Sequence, residues 1–295
     1  MFTPRDPYER EQKHGKSRRS LSIAQILAMR TIDVETVALI WLLIERGICL
    51  TVAGPTEPKP GAGKTTALHA LLQFLPAGTA VAYTSGMFET FAFTRLPDIN
   101  PANTCALCSE ISDHLQTYMW GHKARRFLML PGQGYRIATS VHADTINDVL
   151  HLYQHDLRLR IEDIRSLGLV INIGLMGNER SPLRRWISTY FLQSQIDPQR
   201  PEAILKLPLS LWHERDDTFE HADSFVLEQL ATHTGLSSFD FTVSYKQRVA
   251  CLKELAQGKG ADMREVYDAI RTFREQARQE SNHESLAVSH LSGTP

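Results

Sequence analysis

Residues 48–66, ICLTVAGPTEPKPGAGKTT, decide the fold class of this chain. The first six residues form a short apolar run rich in β-branched side chains, which predicts a buried parallel strand. A loop rich in Gly and Pro follows over 54–63, and the pattern from Lys64 to Phe74 predicts a helix. A strand, a glycine-rich loop and a helix in this order favour a phosphate-binding loop, because backbone N–H groups and a helix N-terminus attract anions.

The residues of this loop have the chemistry that a phosphate site needs. Its glycines allow consecutive N–H groups to point inward, Lys64 supplies positive charge for the β- and γ-phosphates, and Thr65 offers a hydroxyl to Mg²⁺. The candidate nucleotide-binding residues are Gly54, Pro55, Thr56, Gly61, Ala62, Gly63, Lys64, Thr65 and Thr66.

The loop departs from the strict pattern G-x-x-x-x-G-K-[ST], because Pro58 stands where the first glycine is required. Removal of residues 57–60 restores a regular loop that begins at Gly54, so we interpret these four residues as an insertion at the crown. Pro58 and Pro60 each remove a backbone donor, and we expect the crown to bulge away from a bound phosphate. The alternative is a Gly/Pro-rich turn with a chance Gly-Lys-Thr, which the flanking strand and helix disfavour.

Strand and helix patterns alternate along residues 21–197. Asp33 is a good N-cap for a helix that ends near Gly47. Further strands are expected at 79–84, 104–109, 135–142, 169–175 and 184–193, and helices at 112–130 and 145–157. The alternation predicts an α/β fold with a mainly parallel, doubly wound sheet.

The ends of the chain have a different character from the α/β core. Beyond Pro198 only helical patterns are found, which predicts a small helical C-terminal subdomain over 198–280, with 208–212 as a linker. Polar composition predicts a flexible arm over 1–20 and a disordered tail over 281–295.

Composition excludes several classes of protein. The 295 residues are 42% hydrophobic and 22% charged, as in ordinary globular proteins, and the net charge of -1 argues against nucleic-acid binding through bulk positive charge. Four cysteines make no disulfide framework, and no apolar run is long enough to span a bilayer. Cys105 and Cys108 form a CxxC pair, but in a strand they point to opposite faces, which disfavours zinc. A cytoplasmic globular protein is therefore expected.

Residues 20–195 resemble the RecA-like ATPase core of the motors of type II and type IV secretion, type IV pili and archaeal flagella. The resemblance rests on the helical segment 24–47, the Gly-Pro-Thr start of the loop and LLQFLP at 71–76. It implies ATP and Mg²⁺ as cofactors, ATP hydrolysis, and a homo-oligomer with a hexameric ring as one form. It also implies an inner-membrane secretion or pilus platform as partner, and thus a peripheral position at the cytoplasmic face of the membrane as an alternative location.

Two further segments match motifs of that family. TCALCSE at 104–110 is similar to its Walker B strand, which implies that Glu110 orients the attacking water and, with Thr65, holds Mg²⁺ partly through water. GYRIATSVHADT at 134–145 is similar to its His box. This likeness implies that His142, at the end of a strand and before a helix capped at Asp144, senses the γ-phosphate.

The sequence departs from the family at three other points. Of the adjacent acids after the strand that follows the loop helix, only Glu89 remains, and we expect the family's N-terminal domain to be missing. The pair Arg184-Arg185 is interpreted as a solvated face at the start of a late strand. The open candidates for an arginine finger are Arg95, Arg125, Arg126 and Arg136. The alternative function is therefore a nucleotide-binding but non-hydrolysing partner or regulatory subunit of such a machine.

Overall fold

The computed structural model describes residues 21–55, 61–178, 181–193, 199 and 203–291. Eight strands form a single mixed sheet with the order β2-β3-β4-β1-β5-β6-β7-β8. The strands are β1 Leu50–Gly54, β2 Ala80–Tyr83, β3 Thr104–Ile111, β4 Arg136–His142, β5 Leu169–Asn178, β6 Ser181–Leu192, β7 Lys206–His213 and β8 Thr218–His221. The α-helices are α1 Ile23–Ala28, α2 Val34–Glu45, α3 Lys64–Leu71, α4 Gly121–Leu128, α5 Ile146–His151, α6 Ile161–Arg165, α7 Ser224–Thr234, α8 Ser238–Leu255 and α9 Met263–Leu291.

The first five strands run parallel and form the part of the sheet that the sequence predicts. β1 lies between β4 and β5, and β3 and β2 follow on the far side of β4. The expected α/β fold with a largely parallel core is confirmed. The last three strands are antiparallel to their neighbours, so the sheet as a whole is mixed.

We expected the region after residue 198 to be wholly helical, and this was wrong. The segment 208–212, interpreted as a linker, belongs to β7, and β8 follows as the edge of the same sheet. β7 pairs with β6 along an antiparallel ladder, with a register shift beside Pro208, which is where a residue without a backbone donor is tolerated. The expected helices come after these strands. α9 continues to Leu291, where a disordered tail was expected from 281, while 1–20 and 292–295 lie outside the described residues.

Helix α2 joins the sheet to the C-terminal helices. The carboxylate of Asp33 accepts a hydrogen bond from the N–H of Thr36 at 2.6 Å, which confirms the predicted N-cap. Trp41 is fully buried and stacks on Phe74, with ring centroids 5.1 Å apart, and its ring also lies against Phe273 of α9. The strands and the C-terminal helices therefore share one hydrophobic cluster.

Two predicted helices are shorter than expected. Residues 112–120 form a loop, because Met119 donates its N–H to Glu110 and accepts from Ser112, and these bonds fold the segment back onto the end of β3. α5 begins after Thr145, whose side chain caps the helix, and not after Asp144. It is followed at 152–156 by a π-helical turn.

Within the described ranges every helix is too short or too polar to cross a membrane. Cys105 and Cys108 belong to the hydrophobic clusters on opposite faces of the sheet, as their spacing predicts.

Candidate functional site

The carboxyl ends of β1, β4 and β3 lie together at one edge of the sheet. Gly54 ends β1 and is in register with His142, which ends β4, and Glu110 lies near the end of β3. The chain leaves β1 for the far strand β2, returns through β3 and β4, and then crosses β1 to reach β5. Ligands of open α/β sheets bind outside the carboxyl ends of the strands where the strand order reverses in this way. The geometry therefore favours a ligand site next to β1.

The loop between β1 and α3 has the backbone geometry of an anion cradle. Gly63 precedes α3 in the left-handed conformation, with φ of 96°, and no side chain caps the N–H groups of the first turn. At Gly54 a Cβ atom would lie 2.9 Å from the carbonyl oxygen of Ile173, so a side chain there would collide with the backbone of β5. The uncapped N–H groups and the helix dipole are therefore available to a negatively charged group.

The predicted loop residues are distributed around this cradle. Thr56 lies outside the described residues. Ala62 is buried, and Thr66 and Pro55 are partly buried. Gly61 and Thr65 are exposed, which leaves the hydroxyl of Thr65 accessible at the second position of α3.

Lys64 is the first residue of α3 and is only 8% exposed. Its ammonium group donates to the carbonyl of Pro55 at 3.3 Å and to Nδ1 of His142 at 3.2 Å, and lies 3.9 Å from Oε1 of Glu110. Burial lowers the pKa of Lys64, and the negative charges of Glu110 and Asp144 oppose that shift. A buried cation with one carboxylate at this distance is well suited to bind an added anion.

His142 connects Lys64 to Glu110. An ammonium group has donors only, so Nδ1 of His142 must accept the bond from Lys64. Nε2 of the same ring makes a close contact with Oε1 of Glu110. With Nδ1 accepting, Nε2 carries the proton, so one side of the ring faces Lys64 and its N–H faces the carboxylate of Glu110.

Glu110 lies where the pairing of β3 and β4 shifts register, between Cys108 and Ile111. Such irregularities turn a side chain away from its regular direction, which here brings the carboxylate to the edge that holds Lys64. β4 lies between β3 and β1, so Glu110 reaches Lys64 across one intervening strand. Within the described ranges, Oε1 of Glu110 is buried and has no partner at full hydrogen-bond geometry. It lies close to Nε2 of the neutral His142 ring and 3.9 Å from the ammonium of Lys64.

The chemical groups at this site are of the types that bind Mg²⁺ and a polyphosphate. The exposed hydroxyl of Thr65 and the incompletely bonded carboxylate oxygen of Glu110 are hard oxygen ligands of the type that Mg²⁺ prefers. The uncapped start of α3 and the buried ammonium of Lys64 suit a polyphosphate.

Other polar residues singled out by the sequence lie elsewhere. Glu89 is buried and accepts backbone N–H bonds from Ser85, at 2.9 Å, and Phe91, so its carboxylate fastens its own loop. Arg136 begins β4, at the opposite edge of the sheet, and donates to the carbonyl of Ala102.

Three arginine-finger candidates remain, namely Arg95, Arg125 and Arg126. Arg126 packs its guanidinium 4.7 Å from the centroid of the Phe91 ring, while Arg95 and Arg125 are exposed on helices that follow β2 and β3. Arg136 and Arg126 make their contacts elsewhere, while the exposed Arg95 and Arg125 stay open as candidates, since an arginine finger can be supplied by a neighbouring copy.

Sequence reasoning missed one residue at the loop. Arg184 of β6 donates to the carbonyl of Gly61 at 3.3 Å. Its neighbour Arg185 is buried and makes two bonds to Asp217, at 2.7 and 2.8 Å, which hold the pKa of that carboxyl at about 2. The interpretation of this pair as a solvated face was therefore wrong for Arg185, which is buried, while Arg184 is partly exposed. Neighbouring side chains of a strand point to opposite faces, which separates the two. The sequence signal for the position of Arg184 was that the pair begins the strand predicted directly after the one at 169–175.

A cavity of about 460 Å³ adjoins His142 on the side of β3 and α5. The imidazole of His114 lies against that of His142, with ring centroids 4.8 Å apart, and Asp113, Trp120 and Asp156 complete much of the lining. Asp156 belongs to the π-helical turn, a type of irregularity that is frequent at functional sites. The cavity therefore opens onto His142.

Comparison with known proteins identifies no family for this chain. No family model matches the chain, and no curated protein is found to match it.

Proposed function

We propose that this protein binds Mg·ATP at the carboxyl edge of its parallel strands and hydrolyses it, as a RecA-like P-loop ATPase similar to secretion and pilus motors. One observation carries the proposal. Lys64, Glu110 and His142 come from three segments that the sequence relates separately to motifs of that family, and their side chains contact one another at a single site. A chance Gly-Lys-Thr in a turn gives no reason for this convergence.

The roles follow from the chemistry of each side chain. The first N–H groups of α3 and the ammonium of Lys64 would bind the phosphates. Thr65 and Glu110 would hold Mg²⁺, partly through water, and the ion would supply Lewis-acid stabilisation of phosphate charge. The carboxylate of Glu110 accepts a proton from the attacking water. Nε2 of His142 lies against the carboxylate of Glu110 and limits its orientation, so we assign His142 a positioning role.

A second candidate function is a nucleotide-binding subunit that does not hydrolyse. It is favoured by the position of Glu89, the only remnant of the family's second acidic motif, whose carboxylate is bound to the backbone of its own loop. Of the two acids Glu89 and Glu110, only Glu110 then lies at the site.

The assembly and location are proposals on the same basis. Gly61 and Thr65 are exposed, so the site is open on the side away from the sheet, where a neighbouring copy in a ring would close it. We propose a homo-oligomer that docks on an inner-membrane secretion or pilus platform from the cytoplasm.

Calorimetric titration with Mg·ATP tests the proposal. Wild-type protein and Lys246→Ala, a change at an exposed lysine of α8, are expected to bind alike. Lys64→Ala is expected to weaken binding by about 100-fold or more, since it removes the buried charge that faces the phosphates. Thermal denaturation without nucleotide checks that Lys64→Ala is folded. Equal affinity in Lys64→Ala and wild type, or no binding by wild type, would overturn the proposal.

A further inference from the structure

Strand β6 brings a second positively charged side chain to the loop. Arg184 is in register with Leu175, near the carboxyl end of β5. The same part of β5 contacts the start of the loop, because the carbonyl of Ile173 lies 2.9 Å from the position of a Cβ on Gly54. Arg184 therefore emerges at the edge that holds the candidate phosphate site, on the β5 and β6 side of the loop.

The side chain of Arg184 lies against the glycines of the loop. A Cβ on Gly63 would be 3.6 Å from Cδ and 3.9 Å from Nε of Arg184, so the arginine lies at van der Waals distance from that position. The bond from Nη2 to the carbonyl of Gly61 fixes the guanidinium there. Among the described residues, this bond is the one polar contact of the Arg184 side chain, and no carboxylate forms an ion pair with its guanidinium. Arg185, in contrast, is paired with Asp217.

A guanidinium has five N–H donors in a planar fork that matches phosphate oxygens, and a single bond to a carbonyl leaves most of them available. Lys64 approaches the loop from the side of β4, where it contacts His142, and Arg184 approaches from the side of β6. An anion in the loop would thus lie between two cations that come from opposite sides.

We propose that Arg184 binds the phosphate chain of the nucleotide and is a ligand-contacting residue of this site. The inference rests on the proposed function. It adds a specific recognition element, in which the polyphosphate is held by a lysine on one side and an arginine on the other. Such charge-assisted contacts are stronger and more directional than bonds to neutral donors.

The test compares the affinities of Mg·ATP and of inorganic tripolyphosphate for wild type, Arg184→Gln, Arg184→Lys and Arg215→Gln. Arg215 is an exposed arginine in the turn between β7 and β8 and controls for the change in net charge. We expect Arg184→Gln to lower the affinity for both ligands by about tenfold or more. Arg184→Lys should lower both affinities less, and Arg215→Gln should leave them unchanged. Binding by Arg184→Gln should also depend less steeply on salt concentration.

Each other outcome contradicts the inference in a different way. Unchanged affinity for both ligands in Arg184→Gln shows that the guanidinium does not contact phosphate. Weaker ATP binding with unchanged tripolyphosphate binding assigns Arg184 to the nucleoside. Weaker binding with a lower melting temperature of the ligand-free protein and an unchanged salt dependence assigns Arg184 to support of the loop through Gly61. Failure of the wild type to bind either ligand would overturn the proposed function itself.

Discussion

Nζ of Lys64 lies 3.2 Å from Nδ1 of His142, which joins the first residue of α3 to the last residue of β4. Because the ammonium can only donate, this contact fixes the imidazole as the tautomer that carries its proton on Nε2, next to Glu110. The charge of Lys64 thus acts on Glu110 in two ways, directly across 3.9 Å and through the orientation of His142. A ligand that draws the ammonium towards itself would change both.

Glu110→Gln is expected to lower ATP turnover by about 10²–10⁴-fold, the usual cost of losing a general base. Glutamine keeps the size of the side chain but cannot accept the proton of the attacking water. Nucleotide binding should be retained, so steady-state turnover is measured together with calorimetric affinity under conditions that favour oligomers. Persistent hydrolysis in this variant would show that Glu110 is not the base.

Glu89→Gln is the matched control for that experiment, and the structure changes what we expect of it. The sequence leaves Glu89 as the next acid to test as a base, yet its carboxylate bonds to the N–H groups of Ser85 and Phe91. We therefore expect Glu89→Gln to lower the melting temperature while turnover per folded molecule stays near the wild-type value. A loss of turnover equal to that of Glu110→Gln would contradict the site as described.

Two replacements of His142 separate its position from its chemistry. His142→Ala removes the donor to Glu110 and should reduce turnover, though less than Glu110→Gln does. His142→Gln places an amide N–H close to the position of Nε2 and should recover part of that loss. Turnover at saturating ATP and the Michaelis constant are the readouts, since a residue that orients the base lowers the first more than it raises the second. Equal loss in both variants would show that the imidazole itself is required.

The parallel part of the sheet could be predicted because its strands carry local signals. β1 is a short apolar run before a glycine-rich loop, and Asp33 is a side-chain cap that needs no tertiary information. The candidate site follows from the same signals, since the ends of parallel strands meet at one edge. Local patterns do not contain the lateral order of the strands, in which β4 lies between β3 and β1.

The last two strands, β7 and β8, could not be predicted for a physical reason, whereas β6 matches the strand expected at 184–193. β7 contains Pro208, which argues against a strand, and its burial comes from the ladder with β6 and from the helices packed on it. The role of Arg184 depends on this same ladder, because a residue distant from the loop in sequence reaches Gly61 only through strand register. Residues 112–120 were expected to be helical, but hydrogen bonds at the end of β3 hold them in a loop.

Deletion of residues 57–60 is expected to leave the affinity for Mg·ATP unchanged or to increase it. The deletion restores the regular spacing from Gly54 to Lys64 and removes two prolines that lack a backbone donor. Calorimetric titration of the deletion variant, with circular dichroism to check the fold, is the measurement. A large loss of affinity in a folded variant would show that the crown contributes its own contacts to the nucleotide.

Glu45 is the acid that fastens the C-terminal helices to α2. Its carboxylate pairs with Arg248 of α8 and with Arg274 of α9, and Arg274 also donates to the carbonyl of Leu75. Burial by itself raises the pKa of Glu45, but the two guanidinium groups outweigh burial and hold the pKa below its usual value. A carboxyl with a lowered pKa in the folded state stabilises the fold above its unfolded pKa and loses that contribution as the pH falls.

Glu45→Gln is therefore expected to destabilise the protein by about 3 kcal/mol at neutral pH, because it leaves two largely buried arginines without their carboxylate. The difference from wild type should shrink as the pH falls below the unfolded value near 4.5 and should vanish once Glu45 is protonated in the folded state. Urea denaturation of both proteins between pH 7 and pH 3 measures this. Glu254→Gln, at an exposed acid of α8, should match wild type throughout. A difference that is the same at every pH would show that the ion pairs do not stabilise the docking of these helices.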